Sequence, residues 1–163
     1  MAVFLDVADD DAVRHAFNAI CERLSSTNKA SAMDGVLVQP MVKGGTEVMI
    51  GMTRDSQFGA LVAFGLGGTS VEVLADVCLR VAPLTDSDAV DMIHGIRGYR
   101  VLAGYRGRPA VDRAALQEAL LRLSQLVEAI AEIDEVDLNP ILALPDEQGY
   151  CIADARIHVN GSG

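Results

Sequence analysis

Basic residues are scarce in this sequence, which has 13 lysines and arginines against 23 aspartates and glutamates and a formal net charge of −10. A surface that binds nucleic acid needs clustered positive charge to neutralise phosphates, so we expect no nucleic-acid partner. Three arginines do lie close together, at Arg100, Arg106 and Arg108 on a glycine-rich stretch. One such group is typical of a solvated loop.

Cysteines and long apolar runs are also few. The three cysteines, Cys21, Cys78 and Cys151, are far apart and lack CxxC spacing, so we expect buried thiols rather than a disulfide framework or a zinc site. No apolar run approaches the roughly 20 residues that a membrane span needs. We therefore expect a cytoplasmic chain with no membrane partner.

Apolar residues, by contrast, are abundant. Half of the 163 residues are hydrophobic, and the mean hydropathy is +0.27. This composition excludes intrinsic disorder and provides enough apolar surface for a core. The length fits one domain, or part of a larger one.

Two kinds of pattern alternate along the chain and predict an α+β fold with a mostly antiparallel sheet flanked by helices. Short apolar runs bounded by turn residues predict strands, and apolar residues three or four apart predict helices. In the run 46–55, alternation predicts that Val48, Ile50 and Met52 share one face of the strand and that Glu47, Met49 and Gly51 share the other. The predicted strands are residues 3–7, 35–42, 46–55, 59–68, the last part of 71–84 after a short helical turn, 135–144 and 150–159. The predicted helices follow residues 9–11, begin at Thr85 with Asp88 as a capping acid, and begin at Asp112, while the glycine-rich residues 95–107 are predicted to form a loop.

The last two predicted strands carry the most informative polar residues. Alternate residues of a strand share a face, so Asp137 and Asn139 point to the same side of the sheet. If the strands pair, Asn139 and Asp154 could supply oxygen ligands to Mg²⁺, which needs few protein ligands. The competing interpretation is an Asx turn at Asn139–Pro140 and a surface ion pair between Asp154 and Arg156. Spacing alone does not decide between them.

A glycine cluster is the second candidate site. In Gly65-Leu66-Gly67-Gly68 the missing Cβ atoms would let backbone N–H groups approach an anion. The segment lacks the lysine and the Ser/Thr of a P-loop, so a structural turn fits the pattern at least as well.

Several of these runs together resemble a known family. The segments VQPMVKGGTEVMIGMTRDSQFGALVAFGLGG and VEVLADVCLRVAPL, followed by DEVDLNPILA and CIADARI, closely resemble the ATP-grasp module of NDP-forming acyl-CoA synthetases. That family includes ADP-forming acetyl-CoA synthetase, is related to the succinyl-CoA synthetase β subunit, and contributes a domain to some bacterial protein acetyltransferases. The resemblance implies that residues 1–159 form the C-terminal lobe of an ATP-grasp fold and that residues 160–163 form a flexible tail.

The resemblance also implies a set of ligand-binding residues. By position, Gln39, Met41 and Val42 belong to the hinge whose backbone binds the adenine edge of ATP or ADP. Glu47 matches the acid that binds ribose hydroxyls. Asn139 and Asp154 match the magnesium ligands.

Further residues match parts of the family that act on a phosphohistidine. Asp137 corresponds to an acid near that histidine, and Arg156 could neutralise phosphate charge. Gly65, Gly67 and Gly68 correspond to the loop where the phosphohistidine segment docks.

The implied reaction converts an acid, CoA and ATP to acyl-CoA, ADP and phosphate through an acyl phosphate and a phosphohistidine. The only lysines, Lys29 and Lys43, do not match the family's phosphate-binding lysine. We therefore expect the chain to be inactive alone. Its expected partners are an N-terminal ATP-grasp lobe and the CoA-binding and ligase domains of a parent protein.

Two other functions are compatible with the sequence. One is a regulatory, non-catalytic synthetase-like domain of a protein acetyltransferase. The other is an interaction module in which every polar residue named above is structural. For a partial ATP-grasp module we expect exposed apolar surface where the absent lobe would pack, and two copies could associate through it as a homodimer.

Overall fold

Two units make up the chain in a computed structural model that describes residues 3–27, 31, 33–68 and 76–160. The first unit spans Met1–Lys43 and the second Gly44–Gly163. The helical turn predicted early in 71–84 falls on residues 71–75, which lie outside the described residues, as do residues 161–163 of the predicted tail. Asn160 is described, and its N–H donates to the Glu132 carbonyl at 2.8 Å.

Acidic residues begin the helix of the first unit, α1 (Asp10–Ser26), as predicted. Asp9 is the N-cap, and its Oδ1 accepts the N–H of Ala12 at 2.8 Å. Asp10 and Asp11 occupy the first turn, where a negative charge is favoured by the helix dipole. No residue of α1 is buried, so the start of this helix is fixed mainly by its capping chemistry.

Two predicted strands are wrong. Residues 3–7 and 35–42 are described, and neither forms a strand. Both segments are exposed, with Leu37 at 83%. An apolar run becomes a strand only where a neighbouring strand takes up its backbone hydrogen bonds, and neither run has one among the described residues.

The second unit contains a six-stranded antiparallel sheet in the order β3-β2-β1-β4-β5, with β6 also paired to β4. The strands are β1 (Thr46–Asp55), β2 (Gly59–Leu66), β3 (Val77–Val81), β4 (Ile133–Ala143), β5 (Tyr150–Ile152) and β6 (Ala155–Val159). The single strand predicted over 150–159 is therefore two strands. β5 pairs with residues 141–143 of β4, and β6 pairs with residues 133–138.

The alternation predicted for β1 is confirmed. Val48, Ile50 and Met52 are buried, whereas Glu47 is exposed. The buried face of the sheet forms a core with the helices of this unit. The opposite face of the sheet is partly exposed, for example at Thr53 and Glu135.

Three helices lie within the described residues of the second unit: α2 (Asp86–Gly95), α3 (Tyr99–Leu102) and α4 (Arg113–Ala129). The predicted starts of α2 and α4 are confirmed, since Thr85 and Asp112 are their N-caps. The short helix α3 was not predicted and interrupts the expected glycine-rich loop. The apolar stripe of α4 is buried at Leu116, Leu120, Leu123 and Val127, while Ile130 is the C-cap and remains 40% exposed.

Two polar side chains join α4 to the sheet. Arg54 of β1 donates to the carbonyls of Val127 and Ile133 at 2.9 and 2.8 Å, which satisfies the C-terminal end of α4 and the start of β4. Asp112 accepts the N–H groups of Ala115 and Gly149, each at 3.0 Å. Both ends of α4 are thus tied to β4 or to the turn that follows it.

The capping box of α2 should make stability depend on acid pH. Hydrogen bonds from the Thr85 hydroxyl and N–H hold the pKa of Asp88 below its ordinary value of 3.8. Because the folded state favours the ionised form, this stabilisation is complete above the ordinary pKa and is lost as the pH falls through the lowered one. Urea denaturation across this acidic range should therefore show a smaller loss of stability in Asp88→Asn than in the wild type.

Asp91→Asn is the matched control, since Asp91 is exposed on the same helix outside the cap. It should keep the wild-type acid dependence. The N–H groups of Gln57 and Phe58 lower the pKa of Asp55, so part of the dependence should remain in both variants. Identical pH profiles for Asp88→Asn and the wild type would contradict the prediction.

Candidate functional site

The partly exposed face of the sheet carries a shallow cavity with acidic residues at its edge. Its volume is about 160 Å³. Pairing places Gly51 opposite both Ala63 of β2 and Asp137 of β4. The lining residues are Met49, Gly51, Met52, Thr53, Leu61, Ala63, Leu79, Glu135, Val136 and Asp137. Alternation in β1 and β4 indicated this face, but the sequence could not show that Thr53 and Glu135 would be direct neighbours in it.

A break in strand pairing positions Asn139. Val48 pairs with Ile141 and Ile50 pairs with Leu138, so two β4 residues, Asn139 and Pro140, lie opposite one residue of β1. Proline has no N–H to donate to a ladder and is tolerated at such a bulge. Asn139 is exposed at this bulge, between the half-buried residues Leu138 and Pro140.

Asn139 and Asp154 are brought together, as predicted. The Asn139 N–H donates to the Asp154 carbonyl at 3.1 Å. Asp137 pairs with Arg156, and Asp154 lies between β5 and β6, two residues before Arg156. The four predicted site residues therefore lie close together at the end of the β4–β6 pairing.

The predicted surface ion pair is also present. The Arg156 guanidinium lies 3.4 Å from Oδ2 of Asp154, with both side chains substantially exposed. An exposed pair at this distance contributes little to stability, on the order of 0–1 kcal/mol. It leaves the Asp154 carboxylate able to bind another cation.

The donor set of Asn139 and Asp154 fits magnesium. One amide oxygen and one carboxylate are hard ligands, and Mg²⁺ commonly keeps several waters and takes other oxygens from phosphates. No group of three or more His, Cys, Asp or Glu suited to a metal ion occurs in the described parts of the chain. A cation at Asn139 and Asp154 would therefore depend on water or ligand oxygens to complete its coordination.

Glu47 and the glycine cluster are also brought together. The Gly67 N–H donates to the Glu47 carbonyl at 2.7 Å. A Cβ at Gly67 would lie 3.0 Å from backbone atoms of Glu47, and one at Gly68 would lie 2.6 Å from its Oε2. These glycines allow the chain to pass directly against Glu47.

This packing changes the chemistry expected of the glycine cluster. The Gly67 N–H is already used by Glu47 and is not free to hold an anion. A carboxylate beside Gly68 repels phosphate but accepts hydrogen bonds from hydroxyl groups. The local geometry therefore suits a hydroxyl-bearing ligand at Glu47 better than a phosphate.

Asp76 is a residue whose role the sequence did not reveal. It is 8% exposed, and its two carboxylate oxygens accept the N–H groups of Arg97 and Gly98, each at 2.6 Å. Its backbone carbonyl lies so close to Gly65 that a Cβ there would approach to 2.8 Å. Asp76 thus fixes the end of the glycine cluster to the turn before α3.

The predicted hinge residues belong to the first unit. Gln39 and Met41 are exposed and Val42 is half-buried, all on irregular backbone. Their backbone groups are outside any strand ladder among the described residues.

Replacing Gly68 by alanine should force Glu47 to move. Gly68 has a φ of +71°, so alanine carries a backbone cost of about 1 kcal/mol in addition to the collision with Glu47. Gly59→Ala is the matched control, because Gly59 has a φ of +79° and open space around it. Because Glu47 is exposed and its carboxylate can turn aside, urea denaturation should show only a slightly larger loss of stability for Gly68→Ala than for Gly59→Ala.

A double-mutant cycle isolates the collision. In a Glu47→Ala background the colliding carboxylate is gone, so the cost of Gly68→Ala should fall towards that of Gly59→Ala. An unchanged cost in that background would show that Gly68 does not pack against the Glu47 carboxylate.

Removing the Asp76 carboxylate should destabilise the second unit. Asp76→Ala leaves two backbone N–H groups without their acceptor, which we expect to cost about 3 kcal/mol in urea denaturation. Asp76→Asn retains one acceptor oxygen and should lose less. The exposed Asp91→Ala should change stability by no more than about 0.5 kcal/mol, and an equal effect for Asp76→Ala would contradict this role.

The chain is similar to proteins of known activity. Residues 1–159 match the ATP-grasp domain family. The chain is 39% identical over 160 residues to the acetate–CoA ligase [ADP-forming] II subunit beta of Pyrococcus furiosus, a match that covers 98% of this chain and 68% of the relative. It is 41% identical over 155 residues to the acetate–CoA ligase [ADP-forming] I of Archaeoglobus fulgidus, covering 95% of this chain and 22% of that protein.

A solved structure shows the same fold. The dinucleotide forming acetyl-coenzyme A synthetase 1 of Ca. Korarchaeum cryptofilum, in complex with coenzyme A and Mg-AMPPCP, superposes with a TM-score of 0.82 at 39% identity. The match covers 96% of this chain and 67% of that one. The chain therefore spans about two thirds of the β subunit and about a fifth of the Archaeoglobus ligase.

Proposed function

The chain belongs to the ATP-grasp domain family, and we propose that it is the part of an ADP-forming acyl-CoA synthetase that holds the nucleotide and its magnesium ion. The observation that carries this proposal is the backbone hydrogen bond from Asn139 to Asp154, which brings the residue that carries the amide next to the one that carries the carboxylate. The reaction would join an acid to CoA at the expense of ATP, with phosphate passing through an acyl phosphate and a phosphohistidine.

Asn139 and Asp154 would hold magnesium. The ion would supply positive charge that offsets the charge of the nucleotide phosphates. The Korarchaeum synthetase structure, which contains Mg-AMPPCP, supports this assignment.

Glu47 would accept hydrogen bonds from the ribose hydroxyls. Its position beside Gly68 supports this role, since the carboxylate is exposed, can accept hydrogen bonds from hydroxyl groups and is unsuited to phosphate. Gln39, Met41 and Val42 would bind the adenine edge through backbone groups that no strand uses among the described residues.

Asp137 and Arg156 would act on the phosphoryl group and its carrier. Arg156 is the cross-strand partner of Asp137 and lies 3.4 Å from Asp154. Its guanidinium could donate to phosphate oxygens, while Asp137 could orient a histidine imidazole and stabilise its cation. Gly65, Gly67 and Gly68 would form the surface against which the histidine-bearing segment docks.

The sheet face would be one wall of the site. Its cavity of about 160 Å³ is smaller than the roughly 300–1,000 Å³ of typical ligand pockets. A nucleotide would therefore need a second wall, which an N-terminal ATP-grasp lobe would provide. The small cavity and the fact that the chain spans only part of its relatives support the proposal that it is active only together with that lobe and the CoA-binding and ligase domains.

A synthetase part is favoured over a regulatory domain of an acetyltransferase. The two relatives compared above are acetate–CoA ligases, and the similar solved structure is an acetyl-coenzyme A synthetase. A nucleotide site would also use the exposed amide of Asn139 and the carboxylate of Asp154 beside it, whereas a purely structural domain needs neither group there.

Isothermal titration with Mg-ADP tests the proposed site. Asn139→Ala and Asp154→Ala should each weaken binding about tenfold or more, equivalent to at least about 1.4 kcal/mol, because each removes a magnesium ligand. Without magnesium, ADP should bind the wild type and both variants with similar weak affinity.

Asn18→Ala and Asp146→Ala are matched controls, since both residues are exposed and lie outside the proposed site. They should bind Mg-ADP as the wild type does. Wild-type affinity in Asn139→Ala and Asp154→Ala would contradict the magnesium assignment. Binding by a longer parent protein but not by this chain would show that the site needs the second wall.

A further inference from the structure

An arginine-rich stretch of the sequence lies between α2 and α4. Five of the 13 lysines and arginines fall within residues 97–113, which contain one acid, Asp112. This stretch therefore has a formal charge of +4, in a chain whose formal net charge is −10. The five residues are Arg97, Arg100, Arg106, Arg108 and Arg113, of which all but the half-buried Arg113 are exposed.

These positive charges lack local partners. Within the described residues, the ion pairs closer than 4.0 Å join Arg122 to Glu118 and Arg156 to Asp154, and none involves the arginine-rich stretch. The Asp112 carboxylate is already occupied by two backbone N–H groups. The stretch therefore presents uncompensated positive charge to solvent.

A closed loop displays two of the arginines. The Val111 N–H donates to the Leu102 carbonyl at 2.9 Å, which draws the ends of the loop together. At the tip, the Arg108 N–H donates to the Tyr105 carbonyl at 3.0 Å. Arg106 and Gly107 have φ values of +48° and +82°, so the tip is a type I′ turn.

Arginine is an unfavourable residue at that turn. The first central position of a type I′ turn favours asparagine, aspartate or glycine, because φ is positive there. Arg106 instead places its guanidinium over the Tyr105 ring, 5.2 Å from the centroid, and Tyr105 is 49% exposed. Residues kept in costly backbone conformations are concentrated at functional sites.

We propose that Arg106 and Arg108, with Tyr105 between α3 and the turn and Arg100 on α3, form a docking surface for an acidic surface of another polypeptide. Exposed tyrosine and arginine are the residues most enriched at the energetic centres of protein interfaces. Small-molecule sites are concave, and these residues line neither the cavity on the sheet face nor a second cavity, whose lining includes His94, Arg113 and Asp146. The inference does not depend on the nucleotide site.

Fluorescence anisotropy with a labelled oligoglutamate peptide tests this surface. The peptide should bind the 163-residue chain at low salt and weaken as NaCl rises to about 0.3 M, because exposed charges are screened. Arg106→Glu with Arg108→Glu should weaken binding about tenfold or more. The control Arg14→Glu with Arg23→Glu makes the same change in net charge on exposed α1 residues and should stay within about twofold of the wild type.

Arg106→Asn separates binding from folding. Asparagine suits the positive φ, so this variant should melt at or above the wild-type temperature and still bind the peptide more weakly. Unchanged peptide binding in Arg106→Asn would overturn the role of Arg106.

Three other results would overturn the proposal. The first is no measurable binding of the peptide, and the second is an equal loss in the control. The third is competition by inorganic phosphate as effective as that by unlabelled peptide at equal charge, which would identify a phosphate-binding surface instead of a protein-docking one.

Discussion

Backbone pairing along β4 is the constraint on which the rest of the second unit depends. β4 pairs with β1 along one edge and with β5 and β6 along the other, so it fixes the relative positions of four strands. Its bulge at Asn139–Pro140 interrupts the ladder with β1 and divides β5 from β6. The amide of Asn139 is presented where the ladder is interrupted, and the carboxylate of Asp154 stands where the chain passes from β5 to β6. The two proposed magnesium ligands therefore lie where the strand pairing of β4 is irregular.

Much of this unit could be predicted from short-range patterns. The capping box of Thr85 and Asp88, the N-cap at Asp112 and the alternation of β1 depend on residues within a few positions of one another, and all three are confirmed. The strands predicted at 3–7 and 35–42 are wrong because strand formation depends on a distant neighbour. Local apolar patterning cannot report whether that neighbour exists.

The candidate site shows the same limit. The approach of Asn139 to Asp154 was predictable because the two runs that carry them, 135–144 and 150–159, are adjacent in the sequence and could pair as neighbouring strands. Asp76 was not, since its partners are backbone N–H groups 21 and 22 residues away that have no signature in the sequence. The purpose of Gly67 and Gly68 was likewise hidden, because it depends on Glu47 from another strand lying against them.

The third strand has a further consequence for the chain in solution. β3 pairs only with β2 among the described residues, and its Val77, Leu79 and Val81 are 37%, 53% and 48% exposed. An apolar edge strand of this kind is a template on which another chain can add a strand. At neutral pH the net charge of −10 opposes such addition by repulsion between copies. Near the sequence pI of about 4.6 that repulsion disappears, so mild acid should bring aggregation through the β3 edge before it unfolds the core.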